Sequence, residues 1–321
     1  MNRKLKTFKR KLVLVLLFPF LCVLVILYRV LPLKTIRKFA TYVGAKFYKK
    51  AKKSRTIALA NLNRVYGDTL SEEEITSVAK AVFTEMIKSF FDYMAFSRIK
   101  DKQKYFSYID VEGEEHLKAA YDRGKGVICL VPHLSSWELA AITPPMLGYE
   151  TSAASKAMKQ QLLENMMIKY RKRRGLKNIT RVGSYEKLID VLKNGECLIL
   201  MIDQDTKVKS VFVDFFGKPA YTPIGASRLA LETGAAIVPM VMTRKSNDNY
   251  KFIIYSELEV TNTGDAEKDI YDNTLRQTKK IEEIVSTYKE QWVWMHARWR
   301  TTPEDVERYK QRKAEKQNET K

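Results

Sequence analysis

The chain has no aspartate or glutamate before Asp68. Residues 1–55 nevertheless hold 16 Lys/Arg, while the remainder is nearly balanced at 41 basic against 37 acidic residues. The formal net charge of +20 is therefore a property of one end, not of the whole surface. With no groove-binding motif beside it, this charge does not point to nucleic acid. Cysteine is scarce: Cys22, Cys129 and Cys197 sit singly in apolar runs with neither disulfide nor zinc spacing, as buried thiols in a reducing compartment would. Histidine is as scarce, and His116, His133 and His296 lack the helical spacing that places two ligands on one face. No metal site is expected. The nucleophile elbow Gly-x-Ser-x-Gly is absent, and so is any internal repeat.

What is present begins with one long apolar run. Leu12 to Tyr28 is 17 residues broken only by Pro19, preceded by Arg3, Lys4, Lys6, Lys9, Arg10 and Lys11 and followed by Arg29 and Lys34. At about 1.5 Å per residue it is near the lower limit for crossing roughly 30 Å of hydrocarbon. No small-residue cleavage site follows it, so it reads as a membrane anchor, residues 1–33, and not as a removed signal. Both flanks are basic, which leaves orientation undecided between a spanning, a re-entrant and an interfacial segment. Lys34 to Arg55 continues with Ile36, Phe39, Val43, Phe47 and Tyr48 among nine Lys/Arg, Lys34 included. Two readings stand: a helix lying apolar side down on an anionic leaflet, or a helix packed on the main domain.

Ser71 followed by Glu74 forms a capping box. The helix it opens carries Ile75, Val78, Ala79, Val82, Phe83, Met86, Ile87, Phe90, Phe91 and Met94 at i, i+3, i+4 spacing. Together, residues 34–108 form a basic amphipathic and helical lead-in. From residue 109 short apolar runs alternate with helical stretches. Strands are expected at Val127–Val131, Leu198–Ile202, Val211–Phe216, Ile237–Met242 and Phe252–Leu258. Helices are expected at Glu114–Arg123, Gln160–Arg174, Tyr185–Lys193, Ile224–Glu232 and Thr274–Lys289. The pattern predicts an α/β domain over 109–303, with a mixed, largely parallel sheet flanked by helices, before a polar tail at 304–321.

One run ends in chemistry. Gly126-Val-Ile-Cys-Leu-Val-Pro132 leads directly into His133, Ser135-Ser136 offers an N-cap, and Trp137-Glu138 begins a helix. His133 thus sits past a strand's carboxyl end, where α/β sheets place ligands. Glu138 lies in the first turn of the helix, and the connecting turn can fold its carboxylate back onto the imidazole. A carboxylate on one ring nitrogen fixes the tautomer and leaves the other nitrogen to take a proton from an attacking alcohol. The spacing alone is unspecific. Ser135 or Ser136 with His133 leaves a serine lipase or thioesterase as a reading from another class.

His133 and Glu138 after an apolar strand resemble the signature of the glycerolipid and lipid A acyltransferase superfamily, and further blocks follow in that family's order. Arg174-Gly175 with Ile179-Thr180-Arg181 is similar to the second block. Asp203-Gln204-Asp205 after a strand resembles the third block of the late-acylation branch, the lauroyl and myristoyl transferases of lipid A biosynthesis. Phe215-Phe216-Gly217, Thr222-Pro223, Gly225 and Val238-Pro239 continue it. Gln291-Trp292-Val293-Trp294-Met295-His296-Ala297-Arg298-Trp299-Arg300 is similar to its closing motif. The resemblance implies an inner-membrane enzyme with its catalytic domain on the cytoplasmic face. Its reaction would be transfer of an acyl chain from acyl carrier protein to a hydroxyl of a phosphorylated glycolipid, with no nucleotide, metal or other cofactor. His133 would be the base and Glu138 its orienting acid. Arg181, then Arg174, would serve substrate phosphate, and Asp203 and Asp205 would shape the acceptor site. Each block also has a plainer reading: Arg171–Arg174 as a solvated helix end, Asp203 and Asp205 as turn residues, the Trp cluster as packing, His296 as structural. Asp-Gln-Asp favours lipid A over lysophosphatidate, ornithine lipid or phosphatidylinositol mannoside as acceptor, because glycerolipid enzymes show a Phe-Pro-Glu-Gly-like run there.

Overall fold

The computed structural model describes residues 31–155, 161–180, 183–308 and 311, with side chains left aside at 161–163. The apolar run Leu12 to Tyr28 lies outside them. Among the described residues no helix is long and apolar enough to cross a membrane.

Three helices precede the sheet: α1 (Leu33–Lys50), α2 (Lys52–Tyr66) and α3 (Glu72–Phe96). The expected capping box opens α3: the Ser71 hydroxyl accepts from the Glu74 amide, and Glu74 Oε2 accepts from the Ser71 amide at 2.8 Å. α1 packs on α3 through Ile36, Ala40 and Gly44. The approach is close enough that a Cβ on Gly44 would stand 2.7 Å from the Thr84 Cα. Phe47 and Tyr48 close on Phe83 at ring separations of 5.5 and 5.4 Å. For the stretch from Lys34 the reading as a helix packed on the protein is met. One side packs on the protein, while Phe39 and Tyr42 face out, 46% and 60% exposed, among lysines.

After α4 (Lys102–Phe106) the chain runs β1 (Ile109–Glu112), α5 (Glu114–Tyr121), β2 (Val127–Leu130), α6 (Trp137–Leu147), β3 (Thr151–Ser155), α7 (Gln161–Arg173) and β4 (Leu176–Thr180). It continues through α8 (Tyr185–Lys193), β5 (Cys197–Leu200), β6 (Ser210–Phe215), β7 (Lys218–Pro223), α9 (Gly225–Thr233), β8 (Ala236–Arg244), β9 (Tyr250–Ile254) and α10 (Ala266–Thr287). Seven strands form one sheet in the order β1-β9-β8-β2-β5-β3-β4, and every pairing is parallel except β8 with β9. The α/β expectation, with a largely parallel sheet flanked by helices, is met. β6 and β7 stand apart as a hairpin whose two-residue turn, Phe216-Gly217, takes φ of 56° and 69°, the positive pair that a tight hairpin needs.

Strand β2 is buried on both faces. Ile128 and Leu130 join Leu198, Ile237 and the α2–α3 side chains in one cluster; Val127, Cys129 and Val131 join Cys197, Ile199 and Met240 in the other. Cys129 and Cys197 are the buried free thiols expected; Cys22 lies outside the described residues. The crossover from β2 runs to β3 on one side, and the chain leaving β5 returns to β8 on the other. The crevice at the carboxyl ends of β2 and β5 is therefore a topological switch point.

Candidate active site

Strands β2 and β5 pair in parallel with Leu130 opposite Leu200. Three residues beyond each partner stand His133 and Asp203, so the register sets them face to face. The His133 Nδ1 lies 2.7 Å from Asp203 Oδ1, and the His133 amide donates to Oδ2 at 2.7 Å. The Trp292 indole donates to the same Oδ2 at 2.8 Å. Asp203 is fully buried. Burial pushes its carboxyl up, but the charge and hydrogen bonds of His133, with the Trp292 donor, outweigh this and hold it below the usual carboxylate value. An ionised carboxylate only accepts, so Nδ1 is the donor to it, and in the neutral form of such a ring the lone pair lies on Nε2.

This corrects the expectation for Glu138. Its carboxylate does not fold back on the imidazole. It lies in a fork with Arg171, at 2.7 Å to Nη2 and 3.1 Å to Nε, and Arg171 donates a further bond to Asn178 Oδ1 at 2.7 Å. The physical reason is the start of α6. Glu138 projects toward β4 and the end of α7, where a guanidinium offers a bidentate partner, while the imidazole is already held by a nearer acid. Burial works against the charge on Arg171, and the Glu138 carboxylate outweighs it, so its pKa is raised.

His133, Trp137 and Glu138 line one cavity of about 1010 Å³. Its inner wall is apolar, with Ala141, Ala153, Ala154, Ile199 and Leu229; Lys207, Lys209, Arg228 and Arg300 contribute positive charge. An apolar chain and an anionic group can thus share one site with a proton acceptor. Among the described residues no group of three His, Cys, Asp or Glu is placed to hold a metal ion.

The sequence of bacterial lipid A biosynthesis acyltransferases as a family matches residues 4–301 of this chain. The chain belongs to that family. The lipid A biosynthesis palmitoleoyltransferase of Escherichia coli (strain K12) is 27% identical over 287 residues, 85% of this chain and 87% of that protein. The lipid A biosynthesis lauroyltransferase of the same strain is 26% identical over 201 residues, 62% of this chain and 64% of its own. The phosphatidylinositol mannoside acyltransferase of Mycolicibacterium smegmatis is 27% identical over 195 residues, 60% of this chain and 62% of that protein. The match spans about three fifths of the phosphatidylinositol mannoside acyltransferases.

The other residues singled out in the sequence fall in different places. Arg181 lies outside the described residues. Arg174 does not line the cavity: it is buried, donates to the carbonyl oxygens of Phe96 and Ile99, and stacks between the rings of Tyr105 and Tyr170 at 5.5 Å each. It is a guanidinium used to tie α3 to α7, which is where its buried donors find acceptors. Of the basic run Arg171–Arg174, Lys172 and Arg173 alone form the solvated helix end. Asp205 accepts from the Thr301 amide at 2.7 Å and from Arg300 at 3.1 Å, pinning the loop after β5 to the closing segment. That segment is packing and also more: besides the Trp292 bond to Asp203, the Val293 amide donates to the His133 carbonyl at 3.1 Å. Its buried Trp294 carbonyl accepts from Asn61 of α2 at 2.8 Å. His296 lines the cavity, and burial holds its pKa below the ordinary value. The serine-hydrolase reading loses its nucleophile, because the Ser135 hydroxyl donates to Glu85 at 2.7 Å and that of Ser136 is buried without a partner.

Proposed function

We propose that this protein transfers a fatty acyl chain from the thioester of acyl carrier protein to a hydroxyl of a phosphorylated lipid A precursor, at the cytoplasmic face of the inner membrane. The observation that carries the proposal is the His133–Asp203 pair beside a cavity lined by apolar and basic side chains in a member of this family. Asp203 holds the imidazole in the tautomer with Nε2 free. Nε2 takes the proton of the acceptor hydroxyl as its oxygen bonds to the thioester carbon. The resulting imidazolium is stabilised by Asp203. As the tetrahedral intermediate collapses and its C–S bond breaks, Nε2–H gives the same proton to the departing thiolate, which leaves as the carrier's thiol and restores the neutral ring. No acyl-enzyme is formed. Glu138, fixed by Arg171 on the same wall, acts on the substrates and not on the imidazole. Lys207, Lys209, Arg228 and Arg300 suit an acidic carrier protein and a phosphorylated acceptor.

Membrane attachment is part of the proposal. The Leu12 to Tyr28 run anchors the chain, and the exposed Phe39 and Tyr42, with Phe90 of α3 and the surrounding lysines, suit seating at an anionic leaflet. Arg181 remains our candidate for the acceptor phosphate, by position in the second block.

A second acceptor has a specific observation in its favour: relatives include proteins named as phosphatidylinositol mannoside acyltransferases. The two are separated by incubating the purified protein with acyl carrier protein thioester and each acceptor, followed by mass spectrometry of the lipids. An acyl mass gained by the lipid A precursor alone supports the first reading. Acylation of the mannosylated inositide alone replaces it.

A further inference from the structure

Four charged side chains lie almost out of water beside the His133 turn, and none of them lines the cavity. Arg37 of α1 donates from Nε to both oxygens of Asp92 at 3.1 Å. Arg244, at the end of β8, donates to Asp92 Oδ2 and to Glu85 Oε2 at 2.6 Å each. The side chains of Arg37, Asp92, Arg244 and Glu85 are 7, 0, 5 and 10% exposed. A buried ion pair is commonly replaceable by apolar side chains at no loss of stability, so stability alone does not explain such a chain of charges. What it provides is a fixed position for its last member.

That member is Glu85, whose Oε1 accepts the Ser135 hydroxyl at 2.7 Å. Ser135 lies two residues past His133 with φ of 47°, a left-handed conformation that costs a serine about 1–2 kcal/mol. The Ser135 amide donates to the Gln291 carbonyl at 2.8 Å, and the Gln291 side chain in turn accepts from the Arg244 amide at 2.8 Å. Both hydrogen bonds of Ser135 therefore lead back to Arg244. We infer that Glu85 and Ser135 are positioning residues for acyl transfer: the buried carboxylate, fixed by Arg244, holds the Ser135 hydroxyl and so keeps the left-handed turn that aims His133 at the acceptor. This rests on the reading of His133 as the base. Neither residue touches substrate.

The test uses the full-length protein with acyl carrier protein thioester and the glycolipid acceptor. Ser135→Ala loses the hydroxyl and keeps the strained backbone; Ser135→Gly loses the hydroxyl and relieves the strain. Both lower kcat about tenfold to a hundredfold, the cost of misplacing a reacting group by about an ångström, with KM for both substrates unchanged. Glu85→Leu gives the same loss, Glu85→Gln recovers most of it because its amide still bonds the hydroxyl, and Ser135→Ala adds nothing on top of Glu85→Leu. Should Glu85→Leu fail to fold, the two Ser135 variants decide. A Ser135→Gly protein with wild-type kcat overturns the inference while His133→Ala remains inactive, which leaves the base assignment standing. An active His133→Ala protein overturns both.

Discussion

At the scale of single residues, the account turns on which acid serves the imidazole. Asp203→Asn keeps the shape but offers an amide that donates as readily as it accepts, so it favours the wrong tautomer. A loss of about 10² to 10⁴ in kcat is expected, with the melting temperature close to wild type. Trp292→Phe removes one donor to Asp203 and should cost less. Glu138→Ala should be severe for another reason, since it strips the cavity wall and leaves Arg171 unpaired. If Glu138→Ala raises KM more than it lowers kcat, Glu138 acts on substrate as proposed; normal turnover with Asp203→Asn would remove Asp203 from the mechanism. His296 makes a prediction about pH. Burial lowers its folded-state pKa from 6.5, so the fold favours the neutral ring. That contribution is complete above the unfolded value and drains away as pH falls through the lowered folded value. His296→Gln should therefore lose less melting temperature than wild type between about pH 7.5 and about pH 5.5. Equal pH slopes for the two proteins would exclude this role.

At the scale of elements, Gly44 is the contact most open to challenge. A side chain there would meet the backbone of α3, so Gly44→Val should destabilise by about 1–3 kcal/mol and loosen α1, as a thermal melt would show. An unchanged melt would mean that α1 is not held as described. The same elements show what the sequence reveals. The period of α3 was legible down to its capping box, because both are local patterns. Its buried polar stripe of Glu85, Ser89 and Asp92 was not, because polar residues at i, i+4, i+7, two of them acids, read as a solvated face until Arg244, 152 residues away from Asp92, supplies the partner. Strands β2, β5, β8 and β9 were marked by dense β-branched and apolar runs. Edge-side β3 and β4, Thr151–Ser155 and Leu176–Thr180, carry small and polar residues and gave no such signal. His133 stood out by its place after a strand. Asp203 was marked as a site residue but not as its partner, although it too stands three residues past a strand residue, because only the register of β2 with β5 shows that the two positions coincide. Glu138 was close in sequence, and closeness in sequence was the wrong guide.

At the scale of the whole molecule, the charge asymmetry and the apolar run belong to one end of the chain, while the cavity draws its lining from His133 to Arg300. Deleting residues 1–33 should shift much of the protein into the soluble fraction at high salt, with residual binding through the lysines and exposed aromatics of α1. Full-length protein recovered soluble without detergent would contradict membrane seating. The basic rim should make transfer from acyl carrier protein faster at low ionic strength, and acyl-coenzyme A a poorer donor. Equal use of both donors with no salt dependence would count against the carrier-protein assignment.

The central claim is that His133 is the base for transfer to a lipid hydroxyl. Its most direct test is the specific activity of His133→Ala, measured with acyl carrier protein thioester and glycolipid acceptor on the same preparation used for a thermal melt. The account predicts a protein that still folds, with a melting temperature lowered only as far as the buried Asp203 loses one partner, and activity reduced by about 10² to 10⁴ or more. A folded His133→Ala protein within about tenfold of wild-type activity, well short of what general-base assistance supplies, would contradict it and place the base elsewhere.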